Sequence, residues 1–539
     1  MARAKRKPLS FNTTLRNPNR IAGFLRVLCA YEGRILTNAV IKDICCDLLI
    51  QKLYVTNAVR RDPYWKQIYD SPDGVFTREE AEDILKASPQ QHKEAGFDAG
   101  WPSRFDTWYK LIMEFGFCYY EMHAPIEISP LGKMLVSAYE EEPVNDALIQ
   151  NVFLNAMARF QTSTPFRRNA SQNVPLILLL QVIRLLKEDP EENGAGVFRK
   201  EISLFLCWPD GDAQALYQYI KQLRAEHGFH YSSEYIYERC LELFTDARHP
   251  DPDSLRSYIK MSKLLVETTD EYIRKMRMTG VISLRGNGRF LDFNSFEMDK
   301  IQYLLDHYDG TCVPYEGTSS EDRRAFCRYI SRMDPKLFEK AVLSEEKEAD
   351  ASERKRETLR HYAAEYSEEK LREELELTYR GTSQDEMLKF IDAPARLEFL
   401  TSIALVKYLK GVSVTPNYLV DDEGLPRFTA RGGMADIECR DSSCYGLVEV
   451  TLMTGAAQQT EHEMTSISDH LKKAASEQET YTLAVFAAPI LQERALDYMD
   501  YMNDRKLKSS RCGGITAMRI SEMVGRFREA GTLKGLERP

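Results

Sequence analysis

Residues 431–470 read RGGMADIECRDSSCYGLVEVTLMTGAAQQTEHEMTSISDH and carry two acids placed for chemistry. Asp436 opens a short apolar run, and Glu449 lies inside a second one thirteen residues later. Carboxylates on neighbouring strands repel unless a cation lies between them. Magnesium suits oxygen ligands and keeps waters that can act as nucleophiles. The pair therefore outlines a site for one or two Mg2+ ions, of the kind that hydrolyses a phosphodiester backbone.

Period-two alternation in YGLVEVTL puts Val448, Val450 and Leu452 on one face and Leu447, Glu449 and Thr451 on the other. The first face is expected to pack under a helix, leaving Glu449 on the opposite face, beside Asp436 if the two strands form a hairpin. A polar helix follows. Gln459 and Glu463 are four residues apart and His470 is seven further on, so α-helical spacing gives the three one face. Glu463 is a candidate to bind a second ion or orient water, and His470 to contact phosphate or assist proton transfer. Glu398, on the helix entering this region, is a candidate acting through a water. Each of these is also compatible with a solvated surface residue. HEMTS at His462 is not a zinc-protease motif, because Ser466 stands where the second histidine is needed, and neither a Walker phosphate loop nor GxSxG is present. A zinc site at Cys439 and Cys444 lacks a second cysteine pair.

The elements that must position these residues follow from periodicity. After Gln384 the pattern is α/β: a helix over 395–409, strands near 428, 435–439 and 445–452, a helix over 457–475, the strand TLAVFAA, a helix, the short strand GITAM and a last helix. A mixed sheet with helices on its faces is expected. The first three hundred residues are mainly helical, with Ile21, Phe24, Leu25 and Leu28 at three- and four-residue spacing. Twice a helix is closed by glycine and followed by alternating residues. SRFDTWYKLIMEFGF stops at Gly116 before FCYYEMHAPIEIS, and TTDEYIRKMRMTG stops at Gly280 before VISLRGNGRFLDF, whose Asn287-Gly288 is a strong hairpin signal. Two winged helix-turn-helix modules are expected, each with a helix for the major groove and a hairpin near the backbone. Arg104, Thr107 and Lys110 on the first helix and Arg274, Lys275 and Arg277 on the second are the groove-facing candidates, with Arg285 and Arg289 flanking the second turn. Winged helices also serve as protein-packing modules.

The chain has 539 residues and a net charge of −10, a length that suits several domains. Much of the negative excess lies in EEKEADASERKRETLRHYAAEYSEEKLREELE, read as a charged helical connector held up by i,i+4 pairs. The N-terminus is basic: Arg3, Lys5, Arg6, Lys7, Arg16, Arg20, Arg26 and Arg34 face only Glu32 before Asp43. Local positive charge governs contact with phosphates, and Arg16 and Arg20 join the DNA-binding candidates. No apolar run reaches eighteen residues, no secretory signal opens the chain, and the eleven cysteines show no repeated CxxC. A cytoplasmic protein with reduced thiols and no membrane segment is expected. The expected division is 1–150 and 151–300 as recognition subdomains, 301–383 as linker and 384–539 as cleavage domain.

GGMADIE, LVEVTL and QQTEHEMTSISDHL together resemble the cleavage domain of the AlwI-type type IIS restriction endonucleases and related site-specific nicking endonucleases, and SFNTTLRNPNR resembles their opening. The resemblance implies a FokI-like layout: two winged-helix subdomains reading an asymmetric site, a helical linker, and a PD-(D/E)xK nuclease domain cutting a few bases outside it. It implies Asp436 and Glu449 as metal acids, the Val450 carbonyl as a third ligand, and Glu398, Glu463 and His470 in support. It also implies double-stranded DNA as substrate, a cognate methyltransferase, and pairing of nuclease domains or a second nuclease subunit where both strands are cut. One departure stands out, since Thr451 occupies the usual lysine position and no proline precedes Asp436. A non-catalytic winged-helix DNA-binding regulator, a nicking enzyme and a repair nuclease without site preference are the competing readings. Incubation with plasmid DNA and Mg2+ separates them: discrete fragments or nicks are expected, a regulator gives only gel shifts, and a non-specific nuclease gives a smear.

Overall fold

The computed structural model describes residues 7–71, 74–141, 144–167, 169, 171–192, 194, 196–245, 255–315, 317–339, 345–430 and 433–537. Arg3, Lys5 and Arg6 of the basic N-terminus, and Arg431 and Gly432 at the head of the acidic motif, lie outside the described residues. The chain divides into two compact units, Met1–Tyr69 with Val75–Val342, and Asp70–Gly74 with Leu343–Pro539.

The first unit is mainly helical. Helix α1 (Pro18–Cys29) starts on proline and buries Ile21, Phe24, Leu25 and Leu28, as their spacing requires. Helix α2 (Trp101–Glu114) is followed by Gly116 at φ +75°, then β1 (Cys118–Tyr119) paired antiparallel with β2 (Glu127–Ile128). Ser129 caps α3 (Pro130–Glu140) by accepting from the Gly132 amide. The second helix and hairpin are better developed. Between them and α3 comes the short strand β3 (Val197–Phe198). Helix α4 (Thr269–Met278) leads through Gly280 into β4 (Ile282–Arg285) and β5 (Phe290–Phe293), joined by a turn in which Gly286, Asn287 and Gly288 all have positive φ. β3 pairs on the other edge of β5, giving the order β3-β5-β4. Two residues are too few to announce a strand by alternation.

In the second unit, α5 (Glu345–Glu365) and α6 (Glu368–Tyr379) precede α7 (Ala393–Tyr408). Both come from the stretch whose charge suggests a free-standing connector, yet Leu359, Tyr362, Tyr366, Leu371 and Leu375 are buried. Tyr362 meets Phe399 of α7 edge-on at 5.2 Å. A narrow apolar stripe at three- and four-residue spacing is enough to dock a helix whose remaining faces are charged. After α7 come β6 (Ser413–Pro416), the paired strands β7 (Tyr418–Val420) and β8 (Pro426–Ala430), β9 (Ile437–Arg440), β10 (Cys444–Val450), α8 (Met464–Glu477), β11 (Tyr481–Ala488), α9 (Glu493–Met502), β12 (Cys512–Arg519) and α10 (Ile520–Ala530).

The main sheet has the order β12-β11-β10-β9-β6. β10 and β12 run parallel to β11, whereas β9 is antiparallel to both β10 and β6, so the sheet is mixed as expected. β11 is apolar on both faces and buried along nearly its whole length, as a central strand between helical layers must be. Met464, Ile467 and Leu471 of α8 pack with Tyr445, Leu447 and Phe486 on one face of the sheet. All eleven cysteines are free thiols. Among the described residues no helix is long and apolar enough to cross a membrane.

A fragment beginning at residue 384 lacks α5 and α6. At about 2 kcal/mol per buried apolar side chain, the five named above contribute on the order of 10 kcal/mol, comparable with the whole stability of a domain at about 5–15 kcal/mol. A fragment of residues 345–539 is expected to melt cooperatively, and one of residues 384–539 to show no cooperative transition by circular dichroism.

Candidate active site

β9 and β10 form the hairpin that brings the two acids together. Val448 lies opposite Ile437 in the antiparallel register, so the next step along both strands places Glu449 against Asp436. There each carboxylate takes a main-chain donor beside the other acid. The Asp436 amide donates to Glu449 Oε2 at 3.1 Å, and the Val450 amide donates to Asp436 Oδ2 at 2.8 Å. Charge-assisted bonds of this kind are stronger than neutral ones. Asn417, between β6 and β7, holds the same corner from the other side. Its amide donates to the Asp436 carbonyl at 2.8 Å and its Nδ2 to the Ala435 carbonyl at 2.7 Å. No motif marks this residue; beside Pro416 it reads only as a loop polar group.

The face carrying Glu449 is not the open one that alternation suggests. Leu447 and Tyr445 on that face pack under α8, and Val448 on the other face is fully buried as well. β10 is enclosed on both sides because it pairs with β11 within the helical layers. Enclosure by α8 is what delivers His470, whose Nδ1 lies 2.8 Å from Glu449 Oε1. That bond raises the His470 pKa against the opposing effect of burial. Glu449 itself is 6% exposed.

Two further carboxylates crowd the pair. Glu398 on α7 is buried and accepts from the Ala430 amide at 3.1 Å through Oε2. Burial, followed by the charges of Glu398, Glu449 and Glu463, pushes the Asp436 carboxyl well above the usual carboxylate range, against the Val450 amide. Burial also raises Glu463, a shift opposed by a hydrogen bond with the Thr451 side chain and reinforced by Glu449. Thr451, at the position where lysine is usual, is thus bonded to an acid; its amide continues the β11 pairing by donating to the Ala487 carbonyl at 3.0 Å. Asp436, Glu449, Glu463, Glu398 and His470 are all brought into one electrostatic neighbourhood.

Gln459 is not. Residues Gln458–Glu463 form a π-helical turn ahead of α8, and i→i+5 closure adds about one residue to the turn. The α-helical phase on which Gln459, Glu463 and His470 share a face is therefore broken. Gln459 is fully buried. Its Nε2 donates to the carbonyls of Met453 and Ile490 at 2.8 and 2.7 Å, and its Oε1 accepts from the Gln492 amide at 3.1 Å. These bonds tie together the loops after β10 and β11. Cys439 and Cys444 are buried in adjacent strands, and among the described residues no three His, Cys, Asp or Glu side chains are grouped to hold a metal by themselves.

The AlwI restriction endonuclease family model matches residues 113–323 and 330–502. The chain belongs to the AlwI restriction endonuclease family. It is accordingly a type II site-specific deoxyribonuclease. Among solved structures it is similar to the restriction endonuclease FokI, with a TM-score of 0.27 and 10% identity over 99% of this chain and 98% of that one. FokI bound to DNA gives a TM-score of 0.24 and 11% identity over 100% and 98%. The small subunit of the heterodimeric restriction endonuclease R.BspD6I gives 0.24 and 17% identity over 30% and 79%. No curated protein matches the chain.

The DNA-binding candidates of this restriction endonuclease lie in its first unit, and several are engaged within it. Lys275 on α4 is fully buried; its Nζ donates to the carbonyls of Leu15 and Arg16 at 3.0 and 2.9 Å and lies 3.6 Å from Glu271. Burial lowers its pKa to about 8, against the pull of Glu271. Arg16 pairs with the same Glu271 at 3.0 Å, and Arg274 lies 3.7 Å from it. Lys110 bridges Glu94 and Asp106, both at 2.8 Å, while Thr107 Oγ1 donates to the Ser103 carbonyl. Arg104 hydrogen-bonds His92 and lies over Trp108, Arg20 lies over Phe24, and Arg285 pairs with Asp292 at 2.9 Å. Arg277 is half-buried. Arg289 is exposed at the hairpin tip, where its Nε donates to the Gly286 carbonyl. Helix periodicity places cations on a face, but acids on the same or neighbouring elements, and for Lys275 carbonyls of a distant segment, decide which of them turn inward.

Lys275→Met leaves two carbonyls without their donor and Glu271 without one of its cations. Loss of about 3 kcal/mol in unfolding free energy is expected in urea denaturation, whereas Arg289→Ala is expected to leave the urea midpoint unchanged.

Proposed function

We propose that this chain is a type IIS endonuclease that hydrolyses DNA in a Mg2+-dependent reaction a few bases outside a short asymmetric site. The observation that carries this reading is the group of four carboxylates formed by the Asp436–Glu449 pair with Glu398 and Glu463, and His470 bonded to Glu449. Like charges held together in a partly dry site form a poor arrangement on their own and a good one around a hard cation. The raised Asp436 carboxyl fits that donor chemistry. Asp436, Glu449 and the Val450 carbonyl would hold the ion, which when bound supplies an activated water and neutralises charge developing on the phosphate.

The protein groups divide the remaining work. The Val450 and Asp436 amides fix the two acids on a rigid hairpin, so little reorganisation is needed when DNA arrives. Glu463, whose carboxyl burial pushes up, is the candidate to orient water or complete a second ion site. His470, held by Glu449, is the candidate cation or proton carrier beside the pair, in place of the lysine that Thr451 cannot supply. Glu398 adds negative charge behind Asp436.

Two helix-and-hairpin modules in the first unit, α2 with β1–β2 and α4 with β4–β5, support the reading of winged-helix recognition of double-stranded DNA. Arg289 is the candidate for a phosphate contact there. With one such proposed centre among the described residues, one chain would cut one strand at a time. It acts as a site-specific nicking endonuclease unless a second nuclease domain, from another copy or another subunit, joins transiently. A methyltransferase protecting the same site is the expected companion.

Asp436→Ala and Glu449→Ala are each expected to slow plasmid cleavage in Mg2+ by about three orders of magnitude or more, with DNA affinity in gel shifts changed by no more than a few-fold. Cleavage at the wild-type rate by either variant overturns the site. Arg289→Ala is expected to weaken DNA binding evenly across sequences and to reduce the slope of log K against log salt by about one. Sequencing the cut ends of a plasmid locates the break relative to the site; breaks inside the recognised sequence overturn the type IIS assignment.

A further inference from the structure

One half-buried cation in the second unit has no part in the reading above. Lys355 lies on α5, inside the charged stretch, and differs from its neighbours. Arg354 and Arg356 make exposed ion pairs one turn along the helix, with Glu357 and Glu353. Lys355 instead turns inward. Its Nζ donates to the carbonyls of Pro416 and Tyr418, both at 2.8 Å, and lies 5.0 Å from the centre of the Tyr418 ring.

Those carbonyls flank Asn417. We propose that Lys355 is a positioning residue for the cleavage centre: its ammonium clamps the chain on both sides of Asn417, and Asn417 in turn holds the main chain at Ala435 and Asp436. The second half of this relay is the pair of bonds described above, from the Asn417 amide to the Asp436 carbonyl and from its Nδ2 to the Ala435 carbonyl. A third bond, from Nδ2 to Glu438 Oε1 at 3.1 Å, ties it to β9. The inference rests on the reading of Asp436 as a site acid.

Three features make this more than helix packing. First, the register of α5 against this corner is fixed. Thr358 Oγ1 donates to the Glu423 carbonyl at 2.9 Å, and a Cβ on Gly424 would come within 2.6 Å of the Arg354 carbonyl. Second, an ammonium can donate to two converging carbonyls at once while lying over a ring. Third, Tyr418 beneath it is fully buried and its hydroxyl has no hydrogen-bond partner among the described residues, so it offers the corner no other polar anchor. Burial lowers the Lys355 pKa to about 8, with Glu398 opposing the shift. The charged form therefore prevails at neutral pH.

Misplacement of a reacting group by about 1 Å can cost about a hundredfold in rate. The test uses the full chain with saturating enzyme, following plasmid cleavage in a single turnover across a Mg2+ titration, together with DNA affinity, melting temperature and amide exchange in metal-free protein. Lys355→Met is expected to slow cleavage by about tenfold to a hundredfold, raise the Mg2+ concentration for half-maximal rate, and speed exchange of the Asn417 amide. DNA affinity is expected to hold. Lys355→Arg is expected to restore part of the rate, and Lys355→Met with Asn417→Ala to be no slower than the worse single variant.

Wild-type rate in Lys355→Met while Asp436→Ala is inactive overturns the positioning role alone, and wild-type rate in Asp436→Ala overturns the site reading beneath it. A loss that only follows the folded fraction, or effects of the two substitutions that simply add, also overturns the role. If Lys355→Met does not fold, Asn417→Ala decides: slower cleavage and faster Asp436-region exchange with intact melting support the relay, and an unchanged rate overturns it.

Discussion

The second unit is organised around two hydrogen bonds that cross between β9 and β10. Each of the two central acids accepts a main-chain amide from beside the other, Asp436 from Val450 and Glu449 from Asp436. A carboxylate inside a protein must be bonded or lose its charge. Here the bonds that satisfy the acids also lock the register of the hairpin, so the strand pairing and the chemistry are one constraint. A slip of one residue would turn every side chain of β10 to the other face and remove both bonds together. The surrounding elements follow from this. β11 covers the far edge of β10, α8 covers the Leu447 face and brings His470 to Glu449, and β6 ends where Asn417 can reach the Asp436 carbonyl.

Periodicity reveals some of this arrangement and misses the rest for identifiable reasons. The hairpin, the mixed sheet and the neighbourhood of Asp436, Glu449, Glu463, His470 and Glu398 are legible because strand alternation and helix spacing are local properties. The face reading of β10 fails because alternation reports one buried face only when the other meets water, and a strand beside β11 has no wet face. Gln459 is misread because a π turn leaves no trace in a pattern counted at 3.6 residues per turn. The charged stretch is misread because composition averages over a helix, whereas docking needs only the stripe of Leu359, Tyr362 and Tyr366. Asn417 and Lys355 are invisible for a different reason: their partners are backbone carbonyls, which no sequence motif records.

The first unit shows the same limit from the side of charge. Local counts of arginine and lysine mark α4 as a cationic helix, yet Glu271 gathers Arg16, Arg274 and Lys275 around itself and Lys275 disappears from the surface. The basic N-terminal segment and α4 are thereby joined through one buried acid. Charge that looks available for a polyanion in the linear sequence is partly spent on holding the segments together. What remains outside, such as Arg289 on its hairpin, is a smaller and more defined set.

The crowding of Asp436, Glu449, Glu463 and Glu398 has a thermodynamic consequence beyond the placing of ligands. Burial and mutual repulsion push the Asp436 and Glu463 carboxyls up, so without a cation the cluster holds its protons to higher pH than ordinary carboxyls do. On the proposed reading, a cation at this cluster would displace those protons, and by linkage its affinity would rise with pH. Loading of the metal would then be conditional on proton release.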